Sequence, residues 1–121
     1  MTHDPVGGSH SVLWHPGAVE EREAAWPKRE GVAMQNAVDK LKAAGSALPF
    51  PHSSLVQGSP LQGLRELRPR AGRSRWRPLY LQIDRTTFVI LAVAPEAQID
   101  KRGFRSAVAL AVSRHMELEN D

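Results

Sequence analysis

The sequence contains no cysteine, and this absence excludes disulfides, thiolate zinc sites and cysteine nucleophiles. Aromatic residues account for only 6% of the chain, so we expect a mainly aliphatic core. No apolar run is long enough to span a membrane, and residues 1–10 lack the hydrophobic core of a secretion signal. The expectation is therefore a soluble, cytoplasmic protein with no membrane partner.

Signature motifs of common enzyme classes are missing as well. The chain has no GxSxG, Walker A or GxGxxG pattern. Histidine occurs at five positions, which are His3, His10, His15, His52 and His115. No two of them have convincing metal-ligand spacing, so we predict no metal site. His115 lies near the end of the last predicted helix and suits proton transfer near neutral pH, although surface or helix-capping histidines also occupy such positions.

Positive charge is concentrated in the second half of the chain. The 121 residues are enough for one domain with a core of moderate size, and the formal net charge is +3. Five Lys or Arg residues precede Gly63, whereas eleven follow it. This asymmetry predicts an anion-binding face in the second half, for which nucleic acid is the commonest partner.

The hydrophobic pattern predicts one α+β domain, residues 11–119, in the order β-αα-β-β-β-α, after a flexible leader over residues 1–10. Met34, Val38 and Leu41 form the apolar stripe of the longer helix. The segment 46–62 is rich in proline and is predicted to be irregular. The predicted elements are a strand at Ser11–His15, helices at Ala18–Trp26 and Arg29–Ala44 separated at Pro27, strands at Gly63–Arg68, Trp76–Ile83 and Phe88–Ala94, and a helix capped by Asp100 that ends near Glu119.

A cluster of arginines surrounds the predicted turn at Ala71-Gly72. Its members are Arg65, Arg68, Arg70, Arg73, Arg75 and Arg77. Guanidinium groups this close repel one another, so we predict a β-hairpin that presents them to a phosphate backbone. Strand alternation puts Arg77 on the same face as Leu79 and Leu81, where partial desolvation would strengthen its hold on a phosphate. A solvated charged hairpin, with Glu66 paired to a neighbouring arginine, explains the same composition.

Two aromatic residues lie within or just after this cluster. Trp76 and Tyr80 share the face of the strand opposite to Arg77. Either ring is suited to stacking on an RNA base. A position in the core or at its rim is the commoner role for a single such ring, and it is the alternative to stacking here.

Three segments in series resemble the RelE/ParE toxin superfamily, specifically its HigB-like, phage-derived branch. They are GLRELR at residues 63–68, WRPLYLQID at residues 76–84 and FVILAVA at residues 88–94, followed by the final helix. The resemblance implies a RelE-like domain in which two N-terminal helices pack on a small, twisted, mostly antiparallel sheet and a C-terminal helix follows.

The same resemblance implies the toxin of a type II toxin–antitoxin system that acts as a ribosome-dependent mRNA endonuclease. Catalysis would need no cofactor or metal, because the ribose 2′-hydroxyl attacks the adjacent phosphate. Arg77 and Arg68 match arginines that stabilise this phosphate, and His115 is a candidate acid or base. The implied partners are the ribosome, mRNA and a cognate antitoxin, often of the helix-turn-helix type. The candidate RNA-binding residues are Arg65, Arg70, Arg73, Arg75, Trp76, Tyr80, Lys101 and Arg102.

Two positions differ from this family pattern. Glu96 stands where relatives commonly carry Lys or Arg, and Phe104 stands where some relatives carry a tyrosine. These differences favour a second hypothesis, in which the chain is a non-catalytic RNA-binding or antitoxin-binding member of the same fold. A third hypothesis is a toxin that acts on a protein target such as a topoisomerase.

Overall fold

A computed structural model describes residues 10–25 and 28–120. The predicted leader, apart from His10, and the predicted break at Pro27 lie outside these residues. The ring of His10 packs 5.7 Å from that of Phe88, measured between centroids. None of the helices in the described residues is long and apolar enough to cross a bilayer.

The domain is α+β, as the hydrophobic pattern predicts, and consists of three α-helices and one sheet that has five strands instead of the four predicted. The strands are β1 (Ser11–Trp14), β2 (Ser53–Leu55), β3 (Arg65–Leu67), β4 (Trp76–Asp84) and β5 (Thr87–Pro95). The helices are α1 (Pro16–Ala25), α2 (Lys28–Ala44) and α3 (Lys101–Glu119). The strand order is β1-β5-β4-β3-β2, with β1 parallel to β5 and every other pair antiparallel.

The strand β2 is missing from the sequence-based prediction, which made the whole of segment 46–62 irregular. In the structure β2 pairs antiparallel with β3, and Ser53 lies opposite Leu67. Two of its three residues are serines and prolines precede it, so local propensity gives no strand signal. This segment adopts a strand conformation because it pairs with β3.

The sheet has a hydrophobic cluster on each face. One cluster joins α1 and α2 to the sheet and contains the predicted stripe Met34, Val38 and Leu41. The other contains Ala107 and Ala111 of α3. The sheet residues of the first cluster are Leu67, Tyr80, Phe88 and Ile90, and those of the second include Leu79, Leu81, Val89, Leu91, Ala92 and Ala94. Helices therefore cover both faces of the sheet.

Side chains complete the hydrogen bonding of β5 beyond the end of β1, whose last residue pairs with Ile90. The carboxylate of Glu21 accepts a hydrogen bond of 3.0 Å from the backbone N–H of Val93. The guanidinium of Arg114 donates 2.8 Å to the carbonyl of Leu91 and 2.7 Å to Glu21. This ion pair links α1 to α3 across the stretch of the β5 edge with which no strand of the described residues pairs.

The predicted cap of the last helix is confirmed. Oδ1 of Asp100 accepts a hydrogen bond of 2.8 Å from the backbone N–H of Gly103. This bond satisfies one of the amide groups that the first turn leaves without an intrahelical acceptor. It also fixes where α3 leaves the loop that follows β5.

Candidate nucleic-acid interface

The connection between β3 and β4 contains the predicted turn and is bound to α2. Arg70 and Ala71 have φ angles of +56° and +55°, so the chain reverses direction in a left-handed conformation that is unusual for non-glycine residues. Glu30 of α2 accepts a hydrogen bond of 2.9 Å from Oγ of Ser74. Its other carboxylate oxygen lies 3.5 Å from Nη1 of Arg70. These contacts hold the turn against the start of the helix.

Arg77 is a buried charge whose side chain is only 2% exposed. Its Nε lies 3.3 Å from Oε1 of Glu66, and its Nη2 donates a hydrogen bond of 2.5 Å to Oε2 of Glu96. Glu66 lies on β3 and Glu96 directly follows β5. Arg77 therefore connects the three strands through side chains at one end of the sheet.

The remaining donors of Arg77 bind backbone carbonyls of the turn. Its Nη2 donates 3.0 Å to Gly72, and its Nη1 donates to Ser74 and, at 3.2 Å, to Trp76. Four hydrogen bonds and the ion pair with Glu66 thus surround the guanidinium. Direct contact between Arg77 and a scissile phosphate, as the resemblance implies, requires release from one of these partners. Its catalytic role stays a prediction.

Burial governs the ionisation of this cluster. It raises the pKa of Glu66 above its ordinary value, and the neighbouring charges of Arg77 and Arg68 oppose that rise. Burial also lowers the pKa of Arg77, with the charge of Arg68 acting in the same direction and the two glutamates opposing it. The two arginines and two glutamates have compensating formal charges.

A pocket of about 410 Å³ lies beside this cluster, between α2 and the β3–β4 connection. Its lining residues are Arg29, Val32, Ala33, Asn36, Ala37 and Lys40 from α2, with His52, Arg68 and Arg70. Four of these side chains are cationic and none is acidic. We call this pocket the basic cleft.

Arg68 is positioned for a ligand in the basic cleft. Its Nε donates a hydrogen bond of 3.0 Å to the carbonyl of Pro51, and its guanidinium carbon lies 5.0 Å from the ring centroid of Phe50. Nη1 lies 3.7 Å from Oε2 of Glu66, which is an ion pair longer than a hydrogen bond. Among the described residues, neither terminal nitrogen donates a hydrogen bond, so the guanidinium retains donors for an anion alongside its ion pair with Glu66.

The other predicted hairpin residues occupy different surroundings. Arg65 donates a hydrogen bond of 2.8 Å to Oγ of Ser53 and lines a separate pocket. Arg73 is exposed and donates 3.2 Å to the carbonyl of Arg70. Arg75 is exposed and lies 5.9 Å from the ring centroid of Trp76, which is half-buried. Only Arg68 and Arg70 of the cluster line the basic cleft.

Tyr80 lies in the core rather than on an open surface. It is 2% exposed, and its hydroxyl lies 2.6 Å from Oγ of Ser53. Its ring also makes an edge contact with Phe88 at a centroid distance of 5.8 Å. This burial corrects the expectation of base stacking, because neither face of the ring is open to RNA in this conformation.

The candidates from α3 do not line the basic cleft. Lys101 and Arg102 are exposed in the first turn of the helix. His115 lines a third pocket with Trp14 and Leu118, and its Nε2 lies 3.8 Å from Glu119. The structure therefore does not bring His115 together with Arg68.

Sequence reasoning missed four polar residues of the basic cleft. They are Arg29, Asn36, Lys40 and His52. The helical spacing of 29, 36 and 40 puts the first three on one side of α2, bordering the apolar stripe, which is the signal available in the sequence. His52 lies in the proline-rich segment, where no periodicity indicates its position.

A model of the family "Phage derived protein Gp49-like (DUF891)" matches residues 24–95, which is more than half of the chain and runs from the end of α1 through β5. No curated protein matches the chain. The Gp49-like family consists of RelE/ParE-like toxins, so the superfamily resemblance is confirmed, whereas the HigB-like branch stays a prediction. The chain therefore belongs to the Gp49-like family of toxins from toxin–antitoxin systems, and this membership implies a cognate antitoxin.

Proposed function

We propose that this toxin binds single-stranded RNA in the basic cleft and cleaves mRNA on the ribosome, in the cytoplasm. The observation that carries the proposal is the cleft itself, with four cationic side chains, one imidazole and no carboxylate along its lining. A phosphodiester backbone is the polyanion that such a lining suits, since each neutralised phosphate also releases counterions.

Each wall of the cleft contributes two of its four cationic side chains. Arg29 and Lys40 belong to α2, whereas Arg68 and Arg70 belong to the opposite wall. Arginine offers paired donors that match two phosphate oxygens, and lysine acts as a point charge. A strand that enters between the walls meets positive charge on both sides.

Cleavage by the neighbouring 2′-hydroxyl requires proton transfer and stabilisation of extra charge on the phosphate. Arg68 is the proposed phosphate ligand, because it lines the basic cleft, its terminal nitrogens donate no hydrogen bond among the described residues, and its Nε is fixed by Pro51. His52 is the proposed acid or base, since it lines the same cleft and imidazole exchanges protons near neutral pH. Glu66 and Arg77 act as positioning residues behind Arg68.

The proposal is tested with purified toxin, translating ribosomes and a defined message, by mapping the 5′ ends of the products. We expect His52→Gln to lower the cleavage rate by about 100-fold or more, as for loss of a general acid or base. His115→Gln is the matched control and is expected to cleave normally. If the wild-type protein leaves the message uncut, the nuclease proposal is wrong. If His52→Gln cleaves normally and His115→Gln loses cleavage activity, the catalytic acid or base is His115 and not His52.

A second candidate is a toxin-fold protein that binds RNA or its antitoxin without cutting RNA. One specific observation favours it. Glu96 binds Arg77, so the carboxylate at the end of β5 neutralises an arginine that relatives are expected to use on phosphate. This candidate predicts salt-sensitive RNA binding with no product in the same ribosome assay. Binding without cleavage would support it over the first.

A further inference from the structure

Phe50 is the most exposed large apolar side chain in the described part of the chain, at 68%. The other side chains of comparable exposure are aliphatic or methionine residues, among them Val32 and Ile99. An exposed aromatic ring at this position contributes little to the stability of the fold and is available to a ligand.

Arg68 joins this ring to the basic cleft. Its guanidinium carbon lies 5.0 Å from the ring centroid of Phe50. Its Nε donates a hydrogen bond to the carbonyl of Pro51, the residue that follows Phe50 in the chain. The same guanidinium lines the basic cleft, as does the neighbouring His52. One side of the ring thus faces Arg68, while its high exposure leaves the rest of its surface to solvent.

We propose that Phe50 is the stacking platform for an unpaired base of the RNA strand whose phosphate binds Arg68. This inference rests on the proposed RNA binding in the basic cleft and adds a base contact to its phosphate contacts. Stacking on an aromatic ring stabilises single-stranded RNA without selecting one base, because every base has a π face. The adjoining guanidinium supplies the phosphate contact that fixes the position of the base.

The charge around Phe50 favours RNA over a protein as the occupant. The guanidinium of Arg68 lies beside the ring, and the cleft that Arg68 and His52 line has no acidic residue in its lining. An aromatic ring beside arginines is the combination by which proteins bind single strands. A contact with the antitoxin is the competing outcome, and the test separates the two.

The test uses two fluorescein-labelled oligonucleotides of equal length and charge, one of them ordinary single-stranded RNA and the other with abasic ribose at every position. Affinities are measured by fluorescence anisotropy for the wild type, Phe50→Ala and Phe50→Trp. We expect Phe50→Ala to weaken binding of the RNA by about 5- to 100-fold, the range found for loss of one stacking contact. Binding of the abasic strand should stay unchanged, and Phe50→Trp should bind RNA at least as well as the wild type.

Ile99→Ala is the matched control, because Ile99 is also exposed but belongs to the loop between β5 and α3. It should bind both strands as the wild type does. An equal loss for RNA and abasic strand in Phe50→Ala would overturn the proposal, since the ring would then support the cleft and not a base. Unchanged RNA affinity would overturn it too, and weakened antitoxin binding in that variant would identify a protein contact. If the wild type binds neither strand, the proposed function fails together with this inference.

Discussion

Nη2 of Arg77 donates a hydrogen bond of 2.5 Å to Oε2 of Glu96 and so joins the start of β4 to the residue that follows β5. The backbone reinforces this link, because the N–H of Glu96 donates 2.7 Å to the carbonyl of Arg75. Glu66 approaches the same guanidinium from β3. The guanidinium of Arg77 therefore holds β3, β4 and the residue after β5 together at this end of the sheet.

Replacement of Arg77 by methionine should lower the free energy of unfolding by about 3–5 kcal/mol, because Glu66 and Glu96 would lose the cation that compensates them. Urea unfolding at neutral pH measures this change. Arg73→Met is the matched control, since Arg73 belongs to the same turn but is exposed, and its effect should be about 0.5 kcal/mol or less. Equal stability of Arg77→Met and the wild type would contradict the structural role of Arg77.

Replacement of Arg114 by methionine should cost about 2–3 kcal/mol of stability, because the carbonyl of Leu91 would lose its hydrogen-bond donor and Glu21 its ion-pair partner. Gly17→Ala should act through the same contact, since a Cβ there would lie 2.5 Å from Nη2 of Arg114. Thermal unfolding checks both variants. Arg105→Met, at an exposed position of the same helix, should unfold as the wild type does, and a similar loss there would rule out this explanation.

Asp84 should give the protein a stability component that acid removes. A hydrogen bond from the backbone N–H of Thr86, followed in importance by one from the side chain of Thr87, lowers the pKa of Asp84 below its ordinary value of 3.8. A carboxyl whose folded pKa is depressed stabilises the fold fully above the unfolded value and loses this effect as the pH falls through the folded value.

The stability difference between the wild type and Asp84→Asn should therefore be constant above about pH 5 and should shrink below about pH 4. Urea unfolding of both proteins over this pH range measures the difference. Asp39→Asn provides a comparison at another aspartate. A difference that stays constant down to strongly acidic pH would show that Asp84 titrates identically in the folded and unfolded states.

Neutralising two cations of the basic cleft should reduce the salt dependence of RNA binding. For single strands the slope of log K against log salt concentration changes by about 0.7 per phosphate contact, so Arg29→Gln with Lys40→Gln should reduce it by about 1.4. The matched pair Lys101→Gln with Arg102→Gln removes the same charge from α3. A larger change in this second pair would move the RNA site from the cleft to α3.

The elements that sequence reasoning predicts well have a strong local signal. The stripe of Met34, Val38 and Leu41 and the cap at Asp100 are properties of neighbouring residues, and the structure contains both. Strand alternation likewise indicates a desolvated Arg77. The short strand β2 has no such signal, because its formation depends on pairing with a separate segment, the strand β3.

The candidate site was harder to predict because its contacts are long-range. Glu96 reaches Arg77 only through the register of β4 and β5, in which Arg77 lies opposite Ala94. The basic cleft needs α2 to lie against the β3–β4 connection, which Glu30 brings about through Ser74 and Arg70. The clustering of arginines in the sequence indicates a positively charged surface. It does not indicate which helix forms the other wall of the cleft.

The family match ends with β5, whereas α3 lies beyond it. Ala107 and Ala111 of that helix pack on the sheet face that contains Leu79 and Leu91. A fragment trimmed to the shared segment would expose this apolar face to water and would need another cover to remain monomeric. The segment that matches the family model is therefore smaller than the packed fold, and we expect any minimal version of this toxin to require the final helix.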